Sequence, residues 1–152
     1  MTATPVPLAT DLLSKSALVV WVPDVQTATS ESRATLPSSV SRADAVFNLA
    51  RVVQLVLALG SNDREMMKLG AEDRLHQDHR LEKVPMSRLA IEQMTSAGAS
   101  GCWLSGSGPT VAALVHADAI PRVEAALSIP ELEQAGRYMR LAIDVEGLHA
   151  AR

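Results

Sequence analysis

Two short apolar runs, Gly101-Cys102-Trp103-Leu104 and Val111-Ala112-Ala113-Leu114-Val115, flank the polar stretch Ser105-Gly106-Ser107-Gly108-Pro109-Thr110. Each run has the length and the turn-residue boundaries of a buried strand. Two glycines and a proline within four residues demand backbone torsions that side chains resist. The stretch therefore reads as a hairpin with a tip of nearly bare backbone, whose N–H groups suit an anion. A plain hairpin turn accounts for the same residues. The tip is not a P-loop, because no Lys-Ser/Thr pair follows it, and not a dinucleotide fingerprint, which opens a helix.

The rest of the chain supplies elements to pack against that hairpin. Ala17 to Val22 is a continuous apolar run ended by Pro23-Asp24, and it reads as a strand buried on both faces. Thr29 to Ala34 opens a short helix with a Ser or Thr cap, which places Thr29 and Arg33 on one face. Ser41, with Asp44 three residues on, caps a helix that runs to Leu59 and stops at Gly60. Its polar residues Arg42, Asp44, Asn48, Arg51 and Gln54 form a narrow stripe, so the helix is expected to be buried on most of its circumference. Further helices are expected over Arg64–Leu75, Met86–Ala97 and Ala117–Leu127, and a last strand over Tyr138–Val145. The order implies an α+β fold, a ferredoxin-like βαββαβ sandwich with extra helices, its helices on one face of a four-stranded antiparallel sheet.

A length of 152 residues fits one domain. Residues 1–15, with Pro5 and Pro7 and no period, read as an extended arm or interdomain connection, and 16–152 as the domain. A net charge of −3, scattered Lys and Arg and few aromatic residues exclude nucleic acid as the main partner. The N-terminus lacks a signal sequence's basic and apolar regions, and no run is read as reaching membrane-spanning length. The expectation is a cytoplasmic protein with no membrane partner. Cys102, the single cysteine, reads as a small buried thiol.

Asp73, His76 and His79 have metal-like spacing, but Arg74 and Arg80 bracket them, so they are read as an exposed helix end and no metal site is expected. Arg33 and Arg80 sit in polar segments, where a forked guanidinium suits a small carboxylate, although solvated surface arginines look the same. No Ser-His-Asp arrangement can be assembled from position alone.

Gly101 to Val115 resembles the third, glycine-rich motif of the GHMP small-molecule kinases. The order of the other motifs resembles the homoserine-kinase branch: Trp21-Val22-Pro23 leading to Thr29 and Arg33, Leu36-Pro37, Ala43-Asp44-Ala45-Val46-Phe47-Asn48-Leu49, Asp73-Arg74-Leu75-His76-Gln77 with Arg80, and Asp144-Val145-Glu146-Gly147. Asp78 and His79 replace a proline and an aromatic residue, and Ser107 an alanine. The resemblance assigns Thr29, Arg33 and Arg80 to the amino-acid substrate, and Ser105, Gly106, Ser107, Gly108, Pro109 and Thr110 to a loop closing the phosphate side. It implies L-homoserine and ATP as substrates, Mg²⁺ as cofactor and threonine biosynthesis as the pathway.

The family's Pro-x-x-x-Gly-Leu-Gly-Ser-Ser-Ala nucleotide loop and acidic Mg²⁺ partner have no counterpart here. The chain is thus expected to be a C-terminal half that lacks its N-terminal kinase domain. It should be inactive alone, carry no assignable catalytic residue and expose an apolar patch on the first strand and the loop face, where the other domain would sit; homodimer pairing is open to it. The alternatives are a non-catalytic amino-acid-binding or interaction module on the same fold, and a GHMP kinase for another small molecule.

Overall fold

The computed structural model describes residues 11–25 and 28–144, apart from the side chains of Thr29 and Glu31. The elements run α1 (Asp11–Ser14), β1 (Ser16–Pro23), α2 (Thr29–Ala34), α3 (Arg42–Ser61), α4 (Arg64–Gly70), α5 (Gln77–Leu81) and α6 (Pro85–Ser96). They continue with β2 (Gly101–Leu104), β3 (Val111–His116), α7 (Ile120–Leu127), α8 (Pro130–Glu133) and β4 (Gly136–Ala142). The strands form one sheet in the order β2-β3-β1-β4, every neighbouring pair antiparallel. This is the expected ferredoxin-like sandwich, with the hairpin on one side of the sheet and β1 at its centre.

Strand alternation divides the core in two. On one face Val19 and Trp21 of β1 and Val111, Ala113 and Val115 of β3 pack with Ala90 and Met94 of α6, Val123 and Leu127 of α7 and Leu132 of α8. Each large apolar side chain buried there contributes about 1.5–3 kcal/mol. On the other face Leu114 clusters with Leu12 of α1, Ala58 of α3 and Met67 of α4. Helices thus cover both faces, not one. The difference arises because α3 and α4, which the βαββαβ count leaves over, find their apolar partners on the second face.

Several local expectations are corrected. Asp11–Ser14, placed in the arm, forms a helical turn with Leu12 buried and its amide donating to Asn62 Oδ1 at 2.7 Å; residues 1–10 of the arm lie outside the described residues, as does Val145 of the last strand. α2 begins after Ala28, with no side-chain cap. Ser41 does cap α3, its oxygen accepting from the Asp44 amide at 3.0 Å. The helix runs past Gly60, however, and ends at Asn62, whose φ of 58° makes the left-handed exit. α4 stops at Gly70 rather than Leu75, and the supposed polar exit folds as α5.

The largest correction concerns the orientation of α3. Asp44, Asn48, Arg51 and Gln54 of its polar stripe are partly buried and Leu55, Ala58 and Leu59 pack inward, whereas Val46, Leu49, Val52, Val53, Val56 and Leu57 face solvent. Asn48 and Arg51 point to the segment after α4: Asn48 Nδ2 donates to Asp73 Oδ1 at 2.7 Å, and Arg51 Nη2 lies 2.7 Å from Glu72 Oε2. Arg51 and Arg74 also lie over the Phe47 ring, 4.2 and 3.8 Å from its centroid. Ala58 is the one buried α3 side chain among the described residues. The helix, 20 residues long and with a mean hydropathy of 1.5 over its most apolar 18-residue window, is long and apolar enough by composition to cross a membrane, contrary to the sequence reading. Core helices of soluble proteins reach the same length and composition but are mostly buried, whereas α3 is mostly exposed among the described residues.

Gly70 sets how closely α3 and α4 approach. A Cβ built there falls 2.8 Å from the Leu55 backbone N and Cα, atoms that cannot rotate away. Gly70→Ala gains about 1 kcal/mol of helix propensity but must push the helices apart. We expect a net loss of about 2 kcal/mol in urea denaturation, and an unchanged midpoint would refute this packing.

Candidate functional site

The hairpin tip is held from three sides. Within it, the Ser105 amide donates to the Thr110 carbonyl at 2.8 Å and the Gly108 amide to the Ser105 carbonyl at 3.0 Å. Gly106 and Gly108 have φ of 60° and 74°, and a Cβ on Gly108 would meet Leu104 Cδ1 at 2.9 Å, so glycine is required there on both counts. Three carbonyls of the tip then accept hydrogen bonds from three helices. Arg80 Nη1 of α5 donates to Gly106 O at 3.0 Å, Ser32 Oγ of α2 to Ser107 O at 2.8 Å, and Ser87 Oγ of α6 to Pro109 O at 2.6 Å. With these carbonyls tied down, the amides of Gly106 and Ser107 have no hydrogen-bond partner among the described residues. Consecutive free amides on a turn are an anion-binding feature.

Beside the tip lies a pocket of about 170 Å³ lined by Ser32, Thr35, Arg80, Lys83, Val84, Ser107 and Pro109. It falls below the ~300–1,000 Å³ of drug-sized ligand sites, so it suits a small molecule. Two cations and three hydroxyls line it, with no carboxylate among them. A pocket of that make-up favours a small anion carrying hydrogen-bonding groups.

Arg80 is placed by a chain of bonds that begins on α3. Asn48 holds Asp73, and Asp73 Oδ2 accepts from the amides of Leu75, His76 and Gln77 at 3.1, 2.7 and 2.7 Å. This gathers the free N–H groups at the entry to α5. Gln77 Oε1 then accepts from the Leu104 amide at 2.6 Å, just before the tip, and one turn later Arg80 reaches Gly106. Burial pushes the Asp73 carboxyl up, but the amides of Gln77 and His76 and the Asn48 side chain outweigh it and hold the group below its ordinary value.

The structure therefore joins Arg80 to the glycine loop. It does not bring Arg33 to the same pocket: that side chain is exposed on α2 and absent from the lining. Thr29 opens α2, and its side chain lies outside the described residues. Ser32, Ser87, Gln77 and Lys83 were not singled out as site residues from sequence. Gln77 and Asn48 stood inside recognised motifs without a role, while nothing in the local sequence marks Ser32, Ser87 or Lys83.

Asp73 spends both oxygens on N–H donors, and among the described residues no group of three His, Cys, Asp or Glu side chains is placed to hold a metal ion. The donors present do not fit a Mg²⁺ site. Burial pushes the half-buried Cys102 thiol up to about 11, against a hydrogen bond with Thr95, so it stays protonated near neutral pH.

The chain is similar in sequence and fold to known proteins. The family described as GHMP kinases C terminal matches residues 55–131. A homoserine kinase of Desulfitobacterium hafniense is 41% identical over 128 residues, covering 83% of this chain and 43% of its own length. One of Crocosphaera subtropica is 37% identical over 131 residues, covering 85% and 42%. The chain thus spans well under half the length of these curated relatives. Among solved structures, homoserine kinase from Cytophaga hutchinsonii superposes with a TM-score of 0.79 at 22% identity, over 92% of this chain and 44% of that one. L. major mevalonate kinase superposes with a TM-score of 0.65 at 17% identity, over 88% and 43%; at these identities the likeness is one of fold. The glycine hairpin, the sheet order and the matched span agree, and the chain belongs to the GHMP kinase family as a C-terminal domain of it.

Proposed function

We propose that this chain is the substrate-side half of a homoserine kinase, working in the cytoplasm in threonine biosynthesis with an N-terminal kinase domain that carries the ligands of ATP and Mg²⁺. The observation that supports it most directly is Arg80, a cation lining a small carboxylate-free pocket while bonded to the glycine loop. The overall reaction moves the γ-phosphoryl group of ATP to the side-chain hydroxyl of L-homoserine, leaving ADP and releasing the hydroxyl proton.

The residues of this chain bind and orient. Arg80 takes the α-carboxylate of the amino acid, with Lys83 adding positive charge and the hydroxyls of Ser32 and Thr35 within the same pocket. Thr29 and Arg33 stand on α2, the helix that brings Ser32 to the pocket, and their assignment to the substrate rests on the family resemblance alone. The free amides of Gly106 and Ser107 offer positive ends to phosphate oxygens. Fixing the acceptor and the surrounding dipoles supplies much of the catalysis in phosphoryl transfer, which needs little covalent help from protein. None of the described residues is assigned as a general base.

The test is reconstitution. The 152-residue chain alone should release no ADP in response to L-homoserine. Mixing it with the N-terminal half of the Desulfitobacterium hafniense relative, made separately, should give homoserine-dependent ADP release and O-phosphohomoserine. Turnover by the chain alone would refute the division of labour. Binding of homoserine without turnover in the mixture would favour a non-catalytic module. Turnover with mevalonate in place of homoserine would reassign the substrate.

A further inference from the structure

The two faces of the sheet are filled to different degrees. Among the described residues, fourteen buried apolar side chains form the core on the α6 face and four form the core on the α3 face. The shortfall is a cleft of about 480 Å³ between α3, α4 and the sheet, walled mainly by Leu18, Leu55, Leu59, Met67, Trp103 and Leu114. It shares no lining residue with the pocket beside the glycine loop. Its volume lies within the ~300–1,000 Å³ of sites for drug-sized ligands, which are also mainly apolar with a few placed polar groups.

The polar groups of the lining decide what the cleft can hold. Asp73 spends its oxygens on the Asn48 side chain and three backbone amides, and Glu72 is paired with Arg51. No unpaired charge remains there for a charged ligand, and a carboxylate would meet two acidic side chains. Two donors do remain. The Trp103 indole N–H has no partner among the described residues and is not sealed from solvent. Arg80 carries only donors, so in the neutral His76 ring Nδ1, 3.4 Å from Arg80 Nη1, is the accepting nitrogen and Nε2 holds the proton. That Nε2 lies 3.6 Å from Asp73 Oδ1, past hydrogen-bond reach.

We propose that this cleft binds an uncharged small molecule with a flat apolar body and a carbonyl acceptor. The body lies against the Trp103 ring and the leucines, and the carbonyl accepts from Trp103 Nε1 or His76 Nε2. The cleft is a second site, and its occupant does not depend on which substrate the loop-side pocket takes.

The fluorescent naphthalene ketone Prodan has this make-up and serves as the test ligand. Titrating the 152-residue chain into it should shift its emission to the blue and saturate at one molecule per chain. At ordinary ligand efficiency its roughly 17 non-hydrogen atoms give a dissociation constant of about 200 μM or tighter. Leu18→Trp places an indole on the cleft floor and should weaken binding about 10-fold or more. If that variant fails to fold, Trp103→Phe keeps an aromatic ring, removes the N–H and should weaken binding about 5-fold. Val46→Ser with Leu49→Ser, exposed on α3 outside the cleft, should bind as wild type does. Uncharged acetonaphthone should displace Prodan, and naphthoate should do so about 10-fold less well or worse. Absence of a saturable shift overturns the proposal, as does wild-type affinity in both cleft variants. Loss of binding in the α3 variant, or equal displacement by naphthoate, overturns it too. A chain that binds Prodan in this pattern yet gives no homoserine turnover on reconstitution would sink the kinase reading and leave the cleft standing.

Discussion

Replacing Arg80 with alanine should cut kcat/KM for L-homoserine about 1,000-fold in the reconstituted enzyme, while leaving KM for ATP within a few-fold of its starting value. Truncating one partner of a desolvated charge pair costs about 2–5 kcal/mol, and every 1.4 kcal/mol is about a factor of ten. The effect reaches that range because Arg80 has two tasks. It supplies charge to the pocket, and through Nη1 it fixes the Gly106 carbonyl at 3.0 Å, so its loss frees the loop as well as the substrate. Arg80→Lys should recover little, since a point ammonium cannot bond the carbonyl and a carboxylate in the same fork. Arg33→Ala is the internal comparison. Its side chain lies on the exposed face of α2 and outside the pocket, so a smaller loss is expected. Equal kinetics for wild-type and Arg80→Ala enzymes would remove the carboxylate role and the proposed substrate with it.

The contrast between these two arginines shows how far a sequence can be read. The hairpin was legible because its information is local: strand-length apolar runs, and glycines where φ turns positive at 106 and 108. The strand order was legible because βαββαβ leaves few ways to close a sheet. The stripe on α3 was legible as a stripe, from its spacing. Its direction was not, because periodicity says which residues share a face but not which face finds partners. Asn48 and Arg51 turned inward because Asp73 and Glu72 waited there, 25 and 21 residues along the chain. The supports of the loop were hidden for the same reason: Ser32 and Ser87 bond backbone carbonyls 75 and 22 residues away, and a lone serine carries no sign of a distant acceptor. Arg33 and Arg80 look alike in sequence, and only the fold separates the one built into the loop from the one on the surface.

Asp73→Ala should lower unfolding free energy by about 3 kcal/mol at neutral pH, the largest stability loss expected from a polar substitution here. The Asp73 side chain is only 8% exposed and serves the amides of Leu75, His76 and Gln77 and the Asn48 side chain together. Hydrogen bonds to a charged group contribute about 1.5–3 kcal/mol each, and part of that returns when water reaches the freed amides. The pH dependence gives a second, independent reading. Folding depresses the Asp73 carboxyl below its ordinary value of 3.8. Its contribution is therefore complete above that value and is lost as pH falls through the lower folded one. The stability gap between wild type and Asp73→Ala should be constant from neutral pH down to about 5 and narrow in stronger acid, as wild type loses what the variant never had. A gap that stays the same in acid would mean that packing rather than charge holds this turn. At a temperature where the variant is still folded, its kcat/KM for homoserine in the reconstituted enzyme should also fall, because α5 no longer starts in register and Arg80 is carried away from Gly106. A folded variant with full activity would show that Arg80 is held by the loop alone, and that the chain of bonds from Asn48 through Asp73 and Gln77 serves stability without serving the site.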